Sequence, residues 1–171
     1  MIRLFFLFLT AFVADNLVVL FLPIQPIYMH YSVIPNILLT SLVLFTFYDR
    51  NNKGYFITII LGLLYDICYA DLVGLYLFVF SVVIFLVRRY VTNLMPVNLL
   101  SVIGLMSLAI TIKEWLVYFI VETMKGTNLT FFEFATSLLV PTVLVNILIV
   151  GICYPIFKSQ FRQYERELDR F

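Results

Sequence analysis

The feature that most constrains this chain is an apolar stretch at residues 54–89 that carries two aspartates, Asp66 and Asp71, near its centre. On either side of the aspartates, residues 55–70 and 72–87 are almost wholly apolar, and each would be about 24 Å long as a helix. Because the hydrocarbon core of a bilayer is about 30 Å thick, the stretch predicts two membrane helices joined by an acidic turn near one face. Carboxylates are costly in bare lipid, so we expect water, other helices or a partner protein to shelter this turn.

The composition predicts an integral membrane protein. Of the 171 residues, 63% are hydrophobic and only 12% are charged, whereas soluble proteins average about 25% charged residues. The net charge of +1 and the absence of a basic stripe give no indication of nucleic-acid binding. We expect an all-α integral membrane fold with one six-helix membrane domain at residues 1–157, followed by an amphipathic cytoplasmic tail at residues 158–171.

Six apolar runs predict six transmembrane helices. They are residues 4–22, 35–48, 55–70, 72–87, 97–121 and 130–157. The first run is interpreted as an uncleaved helix because it is longer than the apolar core of a typical signal peptide. Thr130 and Glu133 fit a capping box at the start of the last helix, and Pro141 is expected to kink that helix.

The distribution of Lys and Arg predicts the orientation. If the loops alternate between the two sides, nine basic residues lie on one side and only Lys125 on the other. The nine are Arg3, Arg50, Lys53, Arg88, Arg89, Lys158, Arg162, Arg166 and Arg170. By the positive-inside rule, we expect a multi-pass membrane protein with both termini in the cytoplasm and the acidic turn facing outward.

Four charged residues lie within apolar runs, where a membrane protein normally avoids them: Asp15, Asp66, Lys113 and Glu114. Counted by helical rise, the two aspartates and Lys113 lie at similar depths. Lys113 is therefore expected to pair with Asp15 or with Asp66, forming a buried ionic cluster that fixes helix packing. The alternative is that Lys113 extends to the outer interface and that Asp15 is only hydrogen-bonded.

Further polar and glycine positions are candidates for packing or partner binding. Glu114, Tyr118 and Glu122 follow one another at intervals of four residues and form a stripe on one helix face, which would line a cavity or contact another helix. Gly62 is typical of a close helix crossing, and Gly74 fits a turn or a helix start.

The sequence carries no sign of catalytic or metal chemistry. Two cysteines, Cys68 and Cys153, and one histidine cannot form a zinc site, and no cofactor motif is present. Asp66 and Asp71 could suggest an intramembrane aspartyl protease, but such a pair would normally come from two helices packed face to face. We therefore predict that the protein is not an enzyme.

Several of these residues occur in a recognisable pattern. Pro35 and Asn36, the FYDR break that follows, the G-x-x-x-D of Gly62 and Asp66, and Gly74 eight residues later resemble the rod shape-determining protein MreD family. Pro141 followed by Asn146 and the basic tail also fit this pattern. The resemblance implies a role without catalysis, in which the protein binds the bitopic membrane protein MreC. It also implies assembly with MreB, RodA and a class B penicillin-binding protein in the elongation complex, and a fold similar to the substrate-binding subunits of energy-coupling-factor transporters.

The residues and the resemblance are compatible with two functions. The first is a membrane scaffold that supports cell shape and peptidoglycan synthesis. Its candidate contact surfaces are the acidic turn, the polar stripe and three aromatic residues of an outer loop, Phe131, Phe132 and Phe134. The alternative is a substrate-binding subunit of a vitamin or small-solute transporter. The sequence does not identify the surface that meets MreC, the stoichiometry, or whether an outward pocket holds membrane lipid or a small molecule.

Overall fold

The computed structural model describes residues 2–21, 33–49, 53–69, 72–90, 98–126 and 130–168. The described residues form helices and no strands, so the predicted all-helical fold is confirmed for this part of the chain. The first five helices are α1 (Ile2–Phe21), α2 (Ile37–Tyr48), α3 (Lys53–Tyr69), α4 (Leu75–Tyr90) and α5 (Leu99–Lys125). The chain then forms α6 (Phe131–Phe134), a π-helical segment (Ala135–Leu139) and α7 (Val140–Leu168), which run on as one continuous rod.

Two helical stretches, one in α5 and one running from α6 into α7, are long and apolar enough to cross a membrane. They are Leu99–Met124 and Phe131–Gln163, with mean hydropathies of 1.7 and 2.2. Leu4–Val18 and Ile37–Tyr48 are shorter apolar helices. Large apolar side chains such as Phe5, Phe56 and Phe119 are exposed on the outside of the bundle. A surface of this kind is suited to lipid and not to water.

The short helix α2 lies at the centre of the fold. It contacts α1, α3, α4, α5 and α7, and nearly all of its residues are buried. A helix that is apolar on every side is stable only when it is surrounded by other elements. Its 12 residues extend about 18 Å, less than the roughly 30 Å of a hydrocarbon core.

Helices α3 and α4 form the predicted hairpin and cross at close range. A Cβ added at Gly62 would lie 2.7 Å from the Cα of Leu77, so the close crossing that Gly62 predicts is present. Gly74 lies in the turn between the helices with a φ of 97°, a conformation that favours glycine. Asp71 lies outside the described residues.

The last rod differs from expectation in two places. The departure from α-helix occurs at Ala135–Leu139, one turn before Pro141, where the kink was predicted. Proline has no N–H to donate and its ring crowds the carbonyl four residues earlier, here that of Ser137, so a widened π turn accommodates it.

The predicted end of this helix near residue 157 is also wrong, because α7 continues to Leu168. Phe161, beyond the predicted end, is 0% exposed and belongs to the apolar core. The division of the chain into a membrane domain and a tail at residue 158 stays a prediction.

Candidate functional site: a buried polar cluster

Asp15 of α1 caps the N-terminus of the central helix. Its carboxylate accepts hydrogen bonds from the backbone N–H groups of Ile37 at 2.6 Å and Leu38 at 3.0 Å. The residue in the N-cap position of α2, Asn36, makes no side-chain capping bond of its own. A carboxylate from another helix therefore satisfies the first N–H groups of α2 and also interacts favourably with the helix dipole.

Asp66 has the same role at the start of α4. Its carboxylate accepts from the N–H groups of Gly74 at 3.0 Å, Tyr76 at 2.7 Å and Leu77 at 3.0 Å. The side chain is buried. Of the two roles that the sequence left open for Asp66, the geometry supports packing, since its carboxylate is already bound within the hairpin.

Asp49 is a third capping carboxylate, and sequence reasoning missed it as part of an ordinary turn. It accepts from the N–H groups of Lys53 at 3.2 Å and Gly54 at 2.7 Å, at the start of α3. It also accepts from the guanidinium of Arg88 at 2.8 Å, which ties α4 to this corner. An aspartate just before a helix is a recognisable capping signal, and it was available in the sequence.

Lys113 pairs with its chain neighbour Glu114. The ammonium nitrogen lies 2.7 Å from Glu114 Oε1 and donates to Asn36 Oδ1 at 2.9 Å. The predicted pairing of Lys113 with Asp15 or Asp66 is therefore wrong, because its partner is Glu114. The alternative is wrong for Lys113, which is 1% exposed and does not reach the outer interface, but it is right for Asp15, which is hydrogen-bonded.

Asn36 joins this ion pair to α7. Its backbone N–H donates to Asn146 Oδ1 at 2.8 Å, and Asn146 Nδ2 donates to the carbonyl of Ile34 at 2.7 Å. The hydroxyl of Thr142 accepts from the N–H of Ile34 at 3.2 Å, and Pro35 between them is buried. Three backbone groups of the non-helical residues 33–36, the N–H and carbonyl of Ile34 and the N–H of Asn36, are therefore bonded to α7, which helps an irregular segment to be tolerated inside a membrane protein.

We define the polar cluster as Asp15, Asn36, Lys113, Glu114, Thr142 and Asn146, all of them buried. Four segments of the chain contribute to it. Among the described residues, no buried side-chain nitrogen or oxygen lacks a hydrogen-bond partner. A network that is satisfied in this way holds helices in one arrangement.

Comparison with known proteins identifies the family. Residues 1–164 match the family described as rod shape-determining protein MreD. This chain belongs to the MreD family. One relative is the rod shape-determining protein MreD of Bacillus subtilis (strain 168), which is 27% identical over 134 residues, covering 78% of this chain and 77% of the relative. No solved structure matches the chain. It is thus a membrane protein of a family that determines rod shape.

The MreD pattern coincides with the capping and packing positions. Asn36 belongs to the polar cluster, Gly62 lies at the crossing of α3 and α4, and Asp66 caps α4. Gly74 donates its backbone N–H to Asp66 from within the turn. The spacing of Gly62, Asp66 and Gly74 therefore has a physical reason in this MreD family member, since together they build one tight hairpin.

An aromatic layer connects the hairpin of this MreD family member to the polar cluster. The rings of Tyr65 and Tyr76 lie 4.6 Å apart, and Phe12 of α1 contacts Tyr65 edge-on at 6.0 Å. The ammonium of Lys113 lies 5.9 Å from the centre of the Tyr76 ring, within the range of a cation–π interaction. The caps of α2 and α4 are thus coupled through packed rings.

The polar stripe predicted on α5 does not act as one surface. Glu114 is buried in its ion pair, whereas Glu122 is exposed. Tyr118 stacks on Phe134, with ring centroids 4.3 Å apart and planes at 22°. Of the two interpretations of the stripe, the geometry of Tyr118 favours a helix contact.

Two cysteines and an apolar groove lie outside the polar cluster. No group of three His, Cys, Asp or Glu side chains that could hold a metal was found among them. Cys68 and Cys153 are both free thiols. An apolar groove of about 670 Å³ lies between α1 and α3, away from the polar cluster. Its lining, which includes Phe5, Phe56 and Ile60, is typical of a lipid-facing surface.

Proposed function

We propose that this protein is a non-enzymatic scaffold of the bacterial elongation machinery, which binds MreC and supports cell shape and peptidoglycan synthesis. The observation that carries the proposal is the use of the buried charges. Asp15, Asp49 and Asp66 cap helices, and Lys113 is paired with Glu114. Charges committed to holding helices together suit a protein that presents a fixed shape to partners. RodA, a class B penicillin-binding protein and MreB are the further partners within this proposal.

The proposed topology is six membrane-spanning segments with both termini in the cytoplasm. It is supported by the gathering of basic residues at one end of the bundle. Arg88 bonds Asp49 there, and Phe161 of α7 packs against Tyr48, the residue just before Asp49. Lys158 and Arg162 flank Phe161 in the sequence. By the positive-inside rule, this end faces the cytoplasm. A helix arrangement similar to energy-coupling-factor transporter subunits is part of the same proposal.

The proposed contact surface for MreC is the aromatic pair Phe131 and Phe132. Of the surfaces that the sequence suggested, Asp66 and Glu114 are buried. Phe131 and Phe132 are exposed, and the Phe131 ring lies 5.1 Å from that of Trp115. Aromatic anchors of this type supply much of the energy of protein interfaces. They also occur at membrane interfaces without any partner, so the experiment must separate these two roles.

The test is co-purification of MreC with this protein from detergent-solubilised membranes. Phe131→Ser/Phe132→Ser is expected to reduce MreC recovery at least tenfold, because two exposed anchors are removed. The matched control is Phe119→Ser, which changes an exposed phenylalanine on α5. Equal MreC recovery from the double variant and the wild type, with both folded, contradicts this contact surface. Failure of the wild type to recover any MreC contradicts the proposed function itself.

The polar cluster does not favour the alternative function of solute capture. Transporters that bind anionic solutes direct helix N-termini at the solute. In this protein the N-terminus of α2 is already occupied by Asp15, and the surrounding polar side chains are buried. A vitamin-like compound that raised the melting temperature increasingly at higher concentration, with a saturable binding isotherm, would support solute capture instead.

A further inference from the structure

One face of α7 changes from apolar to basic along its length. Leu148 and Ile152 are 68% and 70% exposed, and Pro155 is exposed on the same face. Ser159, Arg162 and Arg166 continue this face at alternating steps of four and three residues, and all three are exposed. Helical geometry places such positions in one line. The basic residues therefore point in the direction in which α7 meets lipid.

The basic residues lie at the height of the headgroup layer if the hydrocarbon core ends near Pro155, the last apolar residue of this face. Arg162 lies seven residues beyond Pro155, about 10 Å along the helix axis. Arginine side chains can reach back several ångströms towards the membrane while their stems cover apolar surface. The polar layer on each side of a bilayer is about 5–7 Å thick. The side chain of Arg162 lies at this layer, and that of Arg166, one turn further from the hydrocarbon core, reaches back towards it.

The opposite side of α7 is fixed to the bundle at this level. Phe161 is 0% exposed, and its ring lies 5.3 Å from Phe45 and 6.0 Å from Tyr48. Phe157 stacks on Phe161 with planes at 13°. Because this packing prevents rotation of α7, Arg162 and Arg166 remain on the lipid side.

Lys158 is positioned beside the two arginines. Its ammonium donates to the Tyr154 hydroxyl at 2.9 Å and lies 4.9 Å from the centre of that ring. The described residues form a groove of about 460 Å³ here, lined by Tyr154, Pro155, Lys158, Ser159, Arg162, Gln163 and Arg166. A guanidinium group can donate two parallel hydrogen bonds to the oxygens of one phosphate, whereas an ammonium or a hydroxyl group donates single bonds.

We propose that this groove binds the phosphate headgroup of an anionic phospholipid. Arg162 and Arg166 hold the phosphate, Lys158 adds charge, and the acyl chains lie along Leu148 and Ile152. The proposal depends on local arrangement and not on the net charge of the tail, which the acidic residues beyond Gln163 reduce. A lipid fits better than an acidic peptide because the basic groove is continuous with the lipid-facing side of α7.

The experiment measures lipid binding to the full chain, purified and delipidated in an uncharged detergent, by native mass spectrometry. Phosphatidylglycerol is titrated in parallel with phosphatidylcholine and with inorganic phosphate. Since each basic residue near a membrane surface contributes roughly 1 kcal/mol, Arg162→Gln is expected to weaken phosphatidylglycerol binding about fivefold. The matched control is Arg89→Gln, which removes an exposed charge from α4 and is expected to change binding less than twofold.

Three results would overturn the proposal. The first is equal binding of phosphatidylglycerol to the wild type and to Arg162→Gln/Arg166→Gln with unchanged melting temperature. The second is an equal loss from Arg89→Gln, which would show a general effect of surface charge. The third is equal affinity for phosphatidylcholine or inorganic phosphate. Binding of an acidic peptide that requires Arg162, without any lipid preference, would assign the groove to a protein partner instead.

Discussion

Two ion pairs of similar length lie in different surroundings within this bundle. Lys113 and Glu114 are 2.7 Å apart and both side chains are 2% exposed. Arg88 and Asp49 are 2.8 Å apart, but the Arg88 side chain is 18% exposed. The first pair is enclosed by helices at the entrance of α2, and the second closes the corner between α2, α3 and α4. The N–O distances of the two pairs are nearly equal, so the pairs differ mainly in how far the cation is buried.

Both carboxylates are buried, since the Asp49 side chain is 1% exposed, and the two pairs differ in the cation, because Lys113 is enclosed whereas Arg88 reaches solvent. Removal of one partner from a buried pair leaves a charge that no solvent can reach, which is far more costly than loss of the attraction itself. Loss of Arg88 also leaves a buried carboxylate, but Asp49 keeps two backbone N–H donors, so the remaining charge stays hydrogen-bonded. The capping aspartates show the same contrast, because Asp15 and Asp66 accept only backbone N–H groups, whereas Asp49 also binds Arg88.

The largest effect is expected from Lys113→Met. It leaves Glu114 as an uncompensated buried charge and removes the donor to Asn36 Oδ1, so the free energy of unfolding is expected to fall by about 3–5 kcal/mol. Chemical unfolding in mixed micelles, followed by circular dichroism, measures the change. The double variant Lys113→Met/Glu114→Gln removes both charges and is expected to recover at least half of the loss. A double variant as unstable as the single one would show that the pair is not the source of the effect.

Asp66→Ala is the next test, since it removes a cap that forms no ion pair among the described residues. Three backbone N–H groups lose their acceptor, and the expected loss is about 3 kcal/mol at about 1 kcal/mol for each buried donor. Asp66→Asn keeps one acceptor oxygen and is expected to lose less. The same unfolding assay applies. An Asp66→Asn variant less stable than Asp66→Ala would mean that the cap is not the main role of this side chain.

Gly62→Ala tests whether the hairpin cap depends on close helix approach. The added Cβ would meet the Cα of Leu77 at 2.7 Å, and Leu77 is one of the residues that donate to Asp66. Overpacking against backbone is expected to destabilise the protein by about 2 kcal/mol. The control is Gly104→Ala on α5, where a Cβ meets nothing within 4 Å and a small gain is expected. Equal melting temperatures for the two variants would contradict the close crossing.

Local features of this fold could be predicted from the sequence. The hairpin of α3 and α4 follows from two apolar runs around a turn, and Gly62 marked the crossing within it. The capping box is confirmed, since the Thr130 side chain accepts from the Glu133 N–H and the Glu133 side chain accepts from the Thr130 N–H. These features depend on residues only a few positions apart, where helical spacing determines which groups meet.

Contacts between distant segments could not be predicted in this way. Asp15 was recognised as sheltered, but its donors lie 22 and 23 residues further along the chain. Lys113 was placed by depth alone, and adjacent residues do not normally face each other on a helix, so Glu114 was not considered as its partner. Asn146 could have been recognised as a buried polar residue, because a polar side chain within an apolar run needs a partner. Its partner, Asn36, is 110 residues away and could not be identified from sequence spacing.

The smallest effect is expected from Arg88→Gln, which removes the partially exposed pair. Asp49 is buried but keeps its bonds from the N–H groups of Lys53 and Gly54, so the loss is expected to be that of one hydrogen bond, about 1 kcal/mol. Salt screens exposed charges strongly and buried ones weakly. The stability difference between Arg88→Gln and the wild type should therefore shrink between about 0.05 and 0.5 M salt, a range over which the Debye length falls roughly threefold. The stability difference between Lys113→Met and the wild type should not change over this range. If both differences respond equally to salt, the two pairs share one environment and the contrast drawn between them fails.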